Sequence, residues 1–318
     1  MIRGTQGVIG QFTPSLNLDF MRGVMPAGMT FVRSGAATRV NASGVVETVA
    51  ANTPRFDYDP ATLQLRGLLI EETRTNVLLQ SATLATQSVA VTAQGYTLSF
   101  YGTGSVTRSG SSTGTLSGSG STARVSVSFT PTAGTLTLTV SGSVTNAQLE
   151  AGGFASSYIP TTTVAATRGQ DICTMSTAGW YNATEGVFLS RFTVDTAGVD
   201  IRPLLVNDGT NNNRMVIQRN PANQLVSFGF SQGVNINFAG LGVSSLTTGA
   251  MAAAIAYKVN DYRFAVNGTV LASSANTAGP PVGITTLNLN SSGGRFWHTR
   301  TTYWPTRRPN AYLQSITV

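Results

Sequence analysis

The stretch "RVSVSFTPTAGTLTLTV", residues 124–140, shows the pattern that decides the fold class of this chain. Val125, Val127 and Phe129 alternate with polar residues in its first half, and Leu136 and Leu138 alternate with threonines in its second half. A period of two places the apolar side chains on one face of a β-strand. The intervening "TPTAG" contains a proline and a glycine, so we predict that the two strands form a hairpin.

Similar strand patterns recur along the chain, whereas the helical spacing of apolar residues is almost absent. The strands "YTLSFYG" (96–102) and "EGVFLSRFTV" (185–194) are two examples. In "DYRFAVNGTVLAS" (261–273), Asn267-Gly268 favours a type I′ turn and hence a hairpin. Only "RRPNAYLQSI" (307–316) is predicted to form a short helix. The sequence therefore predicts an all-β protein with two antiparallel β-sandwiches.

The loops rich in Gly, Pro, Asn and Ser between these strands indicate four regions in the chain. We predict an extended N-terminal attachment region that needs a partner surface (1–65), a small β-sandwich (66–160), a linker or exchanged strand (161–175) and a larger β-sandwich (176–318).

The composition limits the classes of function. The chain has 318 residues, of which 10% are charged, and a net charge of +7; its only lysine is Lys258. The arginines are spread along the chain, which disfavours a nucleic-acid tract. The single cysteine, Cys173, permits no disulfide within the chain. Neither a signal peptide nor a membrane span is apparent, so we expect synthesis in a host cytoplasm without export by that route or membrane insertion.

Two longer stretches carry a resemblance to a known family. They are "NTPRFDYDPATLQLRGLLIEETRTNVLLQS" (52–81) and "NAQLEAGGFASSYIPTTTVAATRGQD" (146–171), which resemble paired signatures of a bacteriophage tail-fibre and head-spike family. The sandwich before the second signature resembles a carbohydrate-binding module of jelly-roll type. The C-terminal half, with "AIAYKVNDYRFAVNG" (254–268) and "YWPTRRPNAYLQSI" (303–316), is similar to a concanavalin A-like (laminin-G-like) domain. This resemblance implies a virion protein, commonly trimeric, whose first 15 residues attach it to the particle.

No arrangement of residues in the sequence predicts catalysis. Glu71 and Glu72 are adjacent on a strand, so they point to opposite faces and cannot flank one bond; we expect one to pair with Arg66 or Arg74 and the other to face solvent. Asp57 and Asp59 have suitable spacing, but Asp-Pro favours a turn cap.

The remaining candidates for chemistry are equally weak. His298 is the sole histidine, Cys173 has no evident base, and "NDGTNNN" (207–213) has one acidic residue and is typical of a hairpin turn. We therefore predict no catalytic residue, no metal site and no cofactor.

The best candidate for binding is "RFWHTRTTYWPTRR" (295–308). On a regular strand, Arg300, Thr302 and Trp304 share one face, and Trp297, Thr299, Thr301 and Tyr303 share the other. An exposed face would offer an aromatic platform for sugars and guanidinium groups for hydroxyls or carboxylates. The alternative is that the aromatic residues close the core and the arginines are solvated. The candidate ligand-binding residues are Trp297, Arg300, Trp304, Arg307 and Arg308.

The sequence and the resemblance together favour a fibre or spike protein on the virion surface that binds a host glycan without catalysis. Its expected partners are a host surface polysaccharide, other virion proteins through the N-terminal region, and further copies of itself in a homo-oligomer, most simply a trimer. Two alternatives stay open: a polysaccharide depolymerase, and a purely structural decoration of the capsid or tail.

Overall fold

The chain is almost entirely β-structure. The computed structural model describes residues 12–237, 246, 248–271 and 278–318. Strands account for 52% of the structure and helices for 3%. The predicted fold class is therefore confirmed, since antiparallel sheets build the whole architecture.

Twenty-six strands lie within the described residues. The first group comprises β1 Leu16–Asp19, β2 Met29–Val32, β3 Ala37–Val40, β4 Val46–Val49, β5 Phe56–Tyr58, β6 Leu65–Glu71 and β7 Arg74–Asn76. The second comprises β8 Gln87–Val91, β9 Tyr96–Gly102, β10 Ser105–Gly110, β11 Gly114–Ser117, β12 Gly120–Phe129, β13 Gly134–Ser141 and β14 Thr145–Ala151.

The third group lies after the small sandwich. It comprises β15 Ala166–Arg168, β16 Ile172–Ser176, β17 Glu185–Val194, β18 Asp200–Asn207, β19 Arg214–Arg219, β20 Leu225–Ser231, β21 Val234–Asn237, β22 Gly249–Lys258, β23 Arg263–Val266, β24 Thr269–Val270, β25 Thr286–Gly293 and β26 Arg295–Trp304. A short 3-10 turn covers Phe20–Arg22, and the predicted helix is present as α1, Asn310–Ile316. Neither of these elements has the length and apolar character that a membrane-crossing helix needs.

Two large sheets form one sandwich. The eight-stranded sheet has the order β24-β23-β22-β17-β26-β6-β5, with β1 also paired to β26. The seven-stranded sheet has the order β2-β16-β25-β18-β19-β20-β21. Their facing sides enclose one core that includes Phe188, Phe264, Leu289 and Tyr303. Helix α1 packs on the outer side of the eight-stranded sheet, where Leu313 joins Val187, Leu189 and Trp304.

The smaller sandwich consists of a four-stranded sheet, β11-β10-β13-β8, and a three-stranded sheet, β12-β9-β14. Leu98, Phe100, Leu136 and Leu138 belong to its core. The predicted hairpin within residues 124–140 is wrong, because β12 pairs with β9 and β13 pairs with β10 and β8. Both strands turn an apolar face to the same core, and "TPTAG" crosses from one sheet to the other. Alternation alone does not distinguish these two arrangements.

The N-terminal strands belong to the large sandwich. Strand β1 pairs with β26, β2 pairs with β16, and β6 lies between β5 and β26. The partner surface expected for this region is thus supplied by the same chain. Strand β6, grouped with the small sandwich in the sequence-based division, is part of the large one. The predicted linker contains β15, paired with β7, and β16. The small sandwich is therefore an insertion between β7 and β15 of the larger structure.

Turn chemistry in the large sandwich follows the sequence closely. Asn267 and Gly268 have φ angles of 44° and 79° and join β23 to β24, as the hairpin prediction requires. Asp208 accepts hydrogen bonds from the backbone and hydroxyl of Thr210, which confirms the turn between β18 and β19.

Candidate functional site

Glu71 is the centre of a buried ionic cluster, not a catalytic group. Its carboxylate lies 2.7 Å from Arg55 and 3.1 Å from Arg168, and it accepts hydrogen bonds from the backbone and hydroxyl of Ser157. Asp171 pairs with Arg55 and also accepts a hydrogen bond from the backbone of Glu71 at 2.9 Å. The expectation that one of the two glutamates pairs with Arg66 or Arg74 is confirmed, because Glu72 pairs with Arg74. The expectation that the other faces solvent is wrong, because Glu71 is buried.

The ionic cluster comprises Arg33, Arg55, Glu71, Arg168 and Asp171, all of which are buried. These residues come from β6, β15 and the segments beside β2, β5 and β16. Burial by itself would raise the pKa of Glu71, but Arg168 and Arg55 outweigh it and hold the pKa far below its ordinary value. Residues 52–81 supply Arg55 and Glu71, and residues 146–171 supply Arg168 and Asp171. The two sequence signatures therefore meet in this cluster, where the N-terminal strands, the large sandwich and the segment after the small sandwich join.

The other carboxylates are also engaged. All 13 acidic residues lie within the described ranges, and each accepts a hydrogen bond or pairs with a cation. Asp59 caps its turn through the backbone N–H groups of Ala61 and Thr62, as predicted. Asp57 instead accepts hydrogen bonds from the indole of Trp297 and the backbone of Val40. Across the described residues, no group of His, Cys, Asp and Glu has the arrangement of a metal site.

The sole histidine and the sole cysteine lie in the core. His298 is fully buried beside Phe20 and contacts the hydroxyl of Thr301 at 2.7 Å; burial lowers its pKa to about 3. Cys173 is buried as predicted, and burial raises the pKa of its thiol to about 12. Neither side chain is placed to act on a ligand from solution.

A β-bulge changes the predicted faces of β26. Arg191 pairs with Arg300 while the next residue, Phe192, pairs with His298, so Thr299 is the extra residue. Phe296 and Tyr303 both face the core although one is even-numbered and the other odd-numbered. The predicted face shared by Trp297 and Tyr303 is therefore wrong. Trp297 lies on the outer face of the sheet with Arg300, Thr302 and Trp304.

The five predicted ligand-binding residues do not form one open platform. Trp297 is only 2% exposed, beneath the guanidinium of Arg66 at 3.4 Å. Trp304 is buried under α1 and donates a hydrogen bond to the carbonyl of Phe12. Arg300 is partly exposed and pairs with Asp19 at 2.8 Å.

The last two predicted residues, Arg307 and Arg308, are also engaged. Arg307 is 8% exposed at its side chain and pairs with Asp261 at 3.0 Å. Arg308 lies 4.0 Å above the ring of Phe12. The structure thus supports the alternative for Trp304, which closes a core, and leaves Arg300 and Arg308 partly exposed.

A different surface has the composition expected of a binding site. Strand β20 turns Leu225, Ser227 and Gly229 inward, where they are buried, and leaves Phe228 and Phe230 half-buried on the outer side. A strand that only closed a core would place its phenylalanines inward. This strand has the reverse arrangement.

Polar groups surround these two rings. Arg214 on β19 lies 5.4 Å from the ring of Phe228 and 5.1 Å from that of Phe230. Across the sheet, Asn207 on β18 is paired with Arg214. Asn288 on β25 lies in the adjacent row, opposite Leu205, and its amide donates a hydrogen bond of 3.3 Å to that of Asn207. We call Asn207, Arg214, Phe228, Phe230 and Asn288 the aromatic–amide face.

Sequence reasoning missed the aromatic–amide face, although one signal was present. In "QLVSFGF" (224–230), the two phenylalanines alternate with serine and glycine, and Leu225 marks the opposite face. Since Leu225 belongs to the core, the phenylalanines must face outward. Recognising this requires knowing which face the leucine occupies, which the sequence alone does not settle.

Comparison with protein-family models and with curated proteins finds no match. Among solved structures, the Ruminococcus gnavus sialidase CBM40 bound to α2,3 sialyllactose is 13% identical with a TM-score of 0.36, covering 43% of this chain and 83% of that one. A NanB sialidase from Streptococcus pneumoniae is 12% identical with a TM-score of 0.35, covering 46% and 26%. The binding domain of botulinum neurotoxin DC, in complex with rat synaptotagmin II, is 10% identical with a TM-score of 0.35, covering 46% and 39%. Similarity at this level establishes no family, ligand or activity for this chain.

Proposed function

We propose that the chain is a non-catalytic glycan-recognition protein of a bacteriophage fibre or spike, and that it binds a host surface polysaccharide on the aromatic–amide face. The observation that carries this proposal is the outward placement of Phe228 and Phe230 on a strand whose inner side holds serine and glycine. Aromatic rings pack against the C–H faces of sugars, and the neighbouring guanidinium and amide groups supply hydrogen bonds to hydroxyls.

The geometry favours binding over hydrolysis. A glycosidase needs two carboxyl groups about 5–10 Å apart with access to one glycosidic bond. Here the acidic side chains hold turns, arginines and backbone N–H groups, as at Asp59 and Glu71. A depolymerase would have to release these carboxylates from structural contacts.

The test is a binding assay with polysaccharides isolated from candidate host cells, using Phe228→Ala and Phe230→Ala. We expect each variant to lose about tenfold or more in affinity, because a buried aromatic anchor commonly contributes more than about 1.4 kcal/mol to binding. Val234→Ala is the matched control, since Val234 is exposed on the neighbouring strand and outside the aromatic–amide face. Wild-type affinity in both phenylalanine variants would contradict the proposed surface.

Two further measurements address the alternatives. New reducing ends or unsaturated sugars after incubation with the polysaccharide would indicate a depolymerase. Failure to bind any host polysaccharide would favour a structural capsid or tail component. The proposed trimer is tested by light scattering of the full chain, for which a monomer mass at micromolar concentration is the contrary result.

A further inference from the structure

A second, separate cleft lies where three parts of the chain meet. It has a volume of about 180 Å³. Its walls come from the β3–β4 hairpin, from β5 and β6, from the β9 and β12 edge of the small sandwich, and from the first residues of β26. This cleft is independent of the aromatic–amide face, which belongs to the other large sheet.

The cleft is strongly cationic. Arg39, Arg66, Arg124 and Arg295 line it, against a single acidic lining residue, Asp57. Asp57 is buried, and its two oxygens already accept hydrogen bonds at 2.7 Å and 2.8 Å. The lining therefore carries four guanidinium groups against one carboxylate, and the excess of positive charge is offset in part by Glu47 and Asp195 outside the lining.

Two of these arginines are occupied by the protein. Arg295 binds Asp195 at 2.5 Å and 3.0 Å and donates to the carbonyl of Ala155 at 2.7 Å. Arg124 donates to Ser99 at 2.8 Å and to the carbonyl of Ser156. They fix the wall of the cleft and contribute charge.

Arg66 has a different environment. Its guanidinium is stacked on the ring of Trp297 at 3.4 Å, which holds its plane in place. Its nearest carboxylate, Asp195, is 3.8 Å away and is bound more closely by Arg295. Within the described part of the chain, the guanidinium of Arg66 donates no hydrogen bond. Arg39 uses Nε to reach Glu47 at 2.7 Å, and its terminal nitrogens have no hydrogen-bond partner among the described residues.

The uncharged residues of the lining indicate which groups of a ligand would lie beside a negative charge bound by the arginines. Tyr58, Tyr101 and Tyr158 line the cleft with Thr38 and Ser157. The hydroxyls of Thr38, Ser157 and Tyr158 are bonded within the protein, so the tyrosine rings and the hydroxyls of Tyr58 and Tyr101 are the groups that a ligand can contact. The planar fork of a guanidinium matches a carboxylate in two parallel hydrogen bonds. The volume lies below the roughly 300 Å³ of typical drug-sized pockets, so it suits one small ring and not an oligosaccharide.

We propose that this cleft binds a single carboxylate-bearing sugar residue, a hexuronate, with its carboxylate on the free donors of Arg66 and Arg39. The hydroxyl and aromatic lining then contacts the pyranose ring. An inorganic anion or an acidic peptide would satisfy the arginines but not use this lining.

The test follows the indole N–H signal of Trp297 by NMR, assigned with Trp297→Phe, during titration of the full chain. The probes are D-glucuronate, D-glucose as the uncharged ring, and inorganic phosphate as the anion without a ring. We expect D-glucuronate to shift this signal and to bind more tightly than either other probe. No shift with D-glucuronate, or equal binding of phosphate or of a short glutamate peptide, would overturn the proposal.

Arg66→Gln is the decisive variant and should weaken D-glucuronate binding by about tenfold, since it removes a charged donor. Arg22→Gln is the control, because Arg22 is exposed and lies outside the cleft. Arg39→Gln provides a second variant at a more solvated position and decides the question if Arg66→Gln does not fold. Unchanged D-glucuronate binding in a folded cleft variant would refute the site. Phe228→Ala should leave D-glucuronate binding intact, so the two proposals fail separately.

Discussion

The ionic cluster around Glu71 and the aromatic–amide face use their residues in opposite ways. The cluster buries five charged side chains at the junction of the two sandwiches. The face leaves Phe228 and Phe230 half-buried at the surface while the same strand turns Ser227 to the core. Charges are inside and phenyl rings are outside, which reverses the usual distribution.

The contrast separates the sequence signals that concern the fold from those that concern binding. Most of the conspicuous acids and arginines of residues 52–81 and 146–171, such as Glu71 and Arg168, hold the chain together. The two phenyl rings of the aromatic–amide face lie on a plain alternating strand that has no charged residue. Three measurements test whether the cluster and the face differ in this way, and they are given from the largest effect on stability to the smallest.

The largest effect is expected from Glu71→Gln. The change leaves Arg55 and Arg168 buried with less compensating charge, and removing one partner of a buried pair costs about 3–5 kcal/mol. The measurement is the free energy of unfolding from denaturant titration. Glu47→Gln is the matched control, since the Arg39–Glu47 pair is partly exposed and should contribute less than about 1 kcal/mol. Equal effects of both substitutions would contradict a structural role for the cluster.

The second effect concerns pH and His298. Its folded pKa of about 3 lies below the ordinary 6.5, so protons bind preferentially to the unfolded chain between these values. Stability from the neutral imidazole is complete above pH 6.5 and declines as the pH falls towards 3, by up to about 1.4 kcal/mol per pH unit. The pKa of Glu71 is lowered in the folded state, so the stability that its carboxylate contributes is lost only as the pH falls below the ordinary value of 4.5.

The interval between pH 6.5 and 4.5 therefore isolates the histidine from Glu71. The raised pKa values of Asp57 and Glu72 act in the opposite direction, so the useful quantity is the difference between wild type and His298→Asn. We expect the stability advantage of the wild type to shrink as the pH falls through this interval. A constant difference would mean that the imidazole is already accessible to protons in the folded chain.

The smallest effect is expected at the inner side of β20. The hydroxyl of Ser227 is buried, and no hydrogen-bond partner is found for it among the described residues. Ser227→Ala removes this unsatisfied group and should raise the unfolding free energy by about 1 kcal/mol. A loss of stability instead would show that the Ser227 hydroxyl has a hydrogen-bond partner in the folded chain.

The sequence predicted the type of each element better than the partner of each element. The alternation in β12 and β13, the turn at Asn267-Gly268 and the final helix are local properties, and all are confirmed. Pairing is not local: β1 and β26 are nearly 300 residues apart, and β12 and β13 lie in different sheets.

The candidate sites were harder to predict for the same reason. A single bulge at Thr299 moves Trp297 to the other face of β26, and burial of Trp304 depends on a helix and on Phe12 from the far end of the chain. The sequence suggested Arg66 only as a partner of a glutamate. Its stacking on Trp297 joins residues more than 200 positions apart, so no local pattern indicates it. The aromatic–amide face likewise unites four strands that sequence order does not bring together.

The pairing of β1 and β6 with β26 also determines when these strands can pair during translation. At about 5–20 residues per second, synthesis of the 200-odd residues that separate β6 from β26 takes on the order of ten to fifty seconds. The small sandwich emerges as one continuous segment and can fold during that time. Strand β1, with Leu16 and Leu18, in contrast has no strand partner until β26 has been synthesised, and one side of β6, with Ile70, is open until then. The nascent chain therefore carries open strand edges at β1 and β6 until β26 has been synthesised.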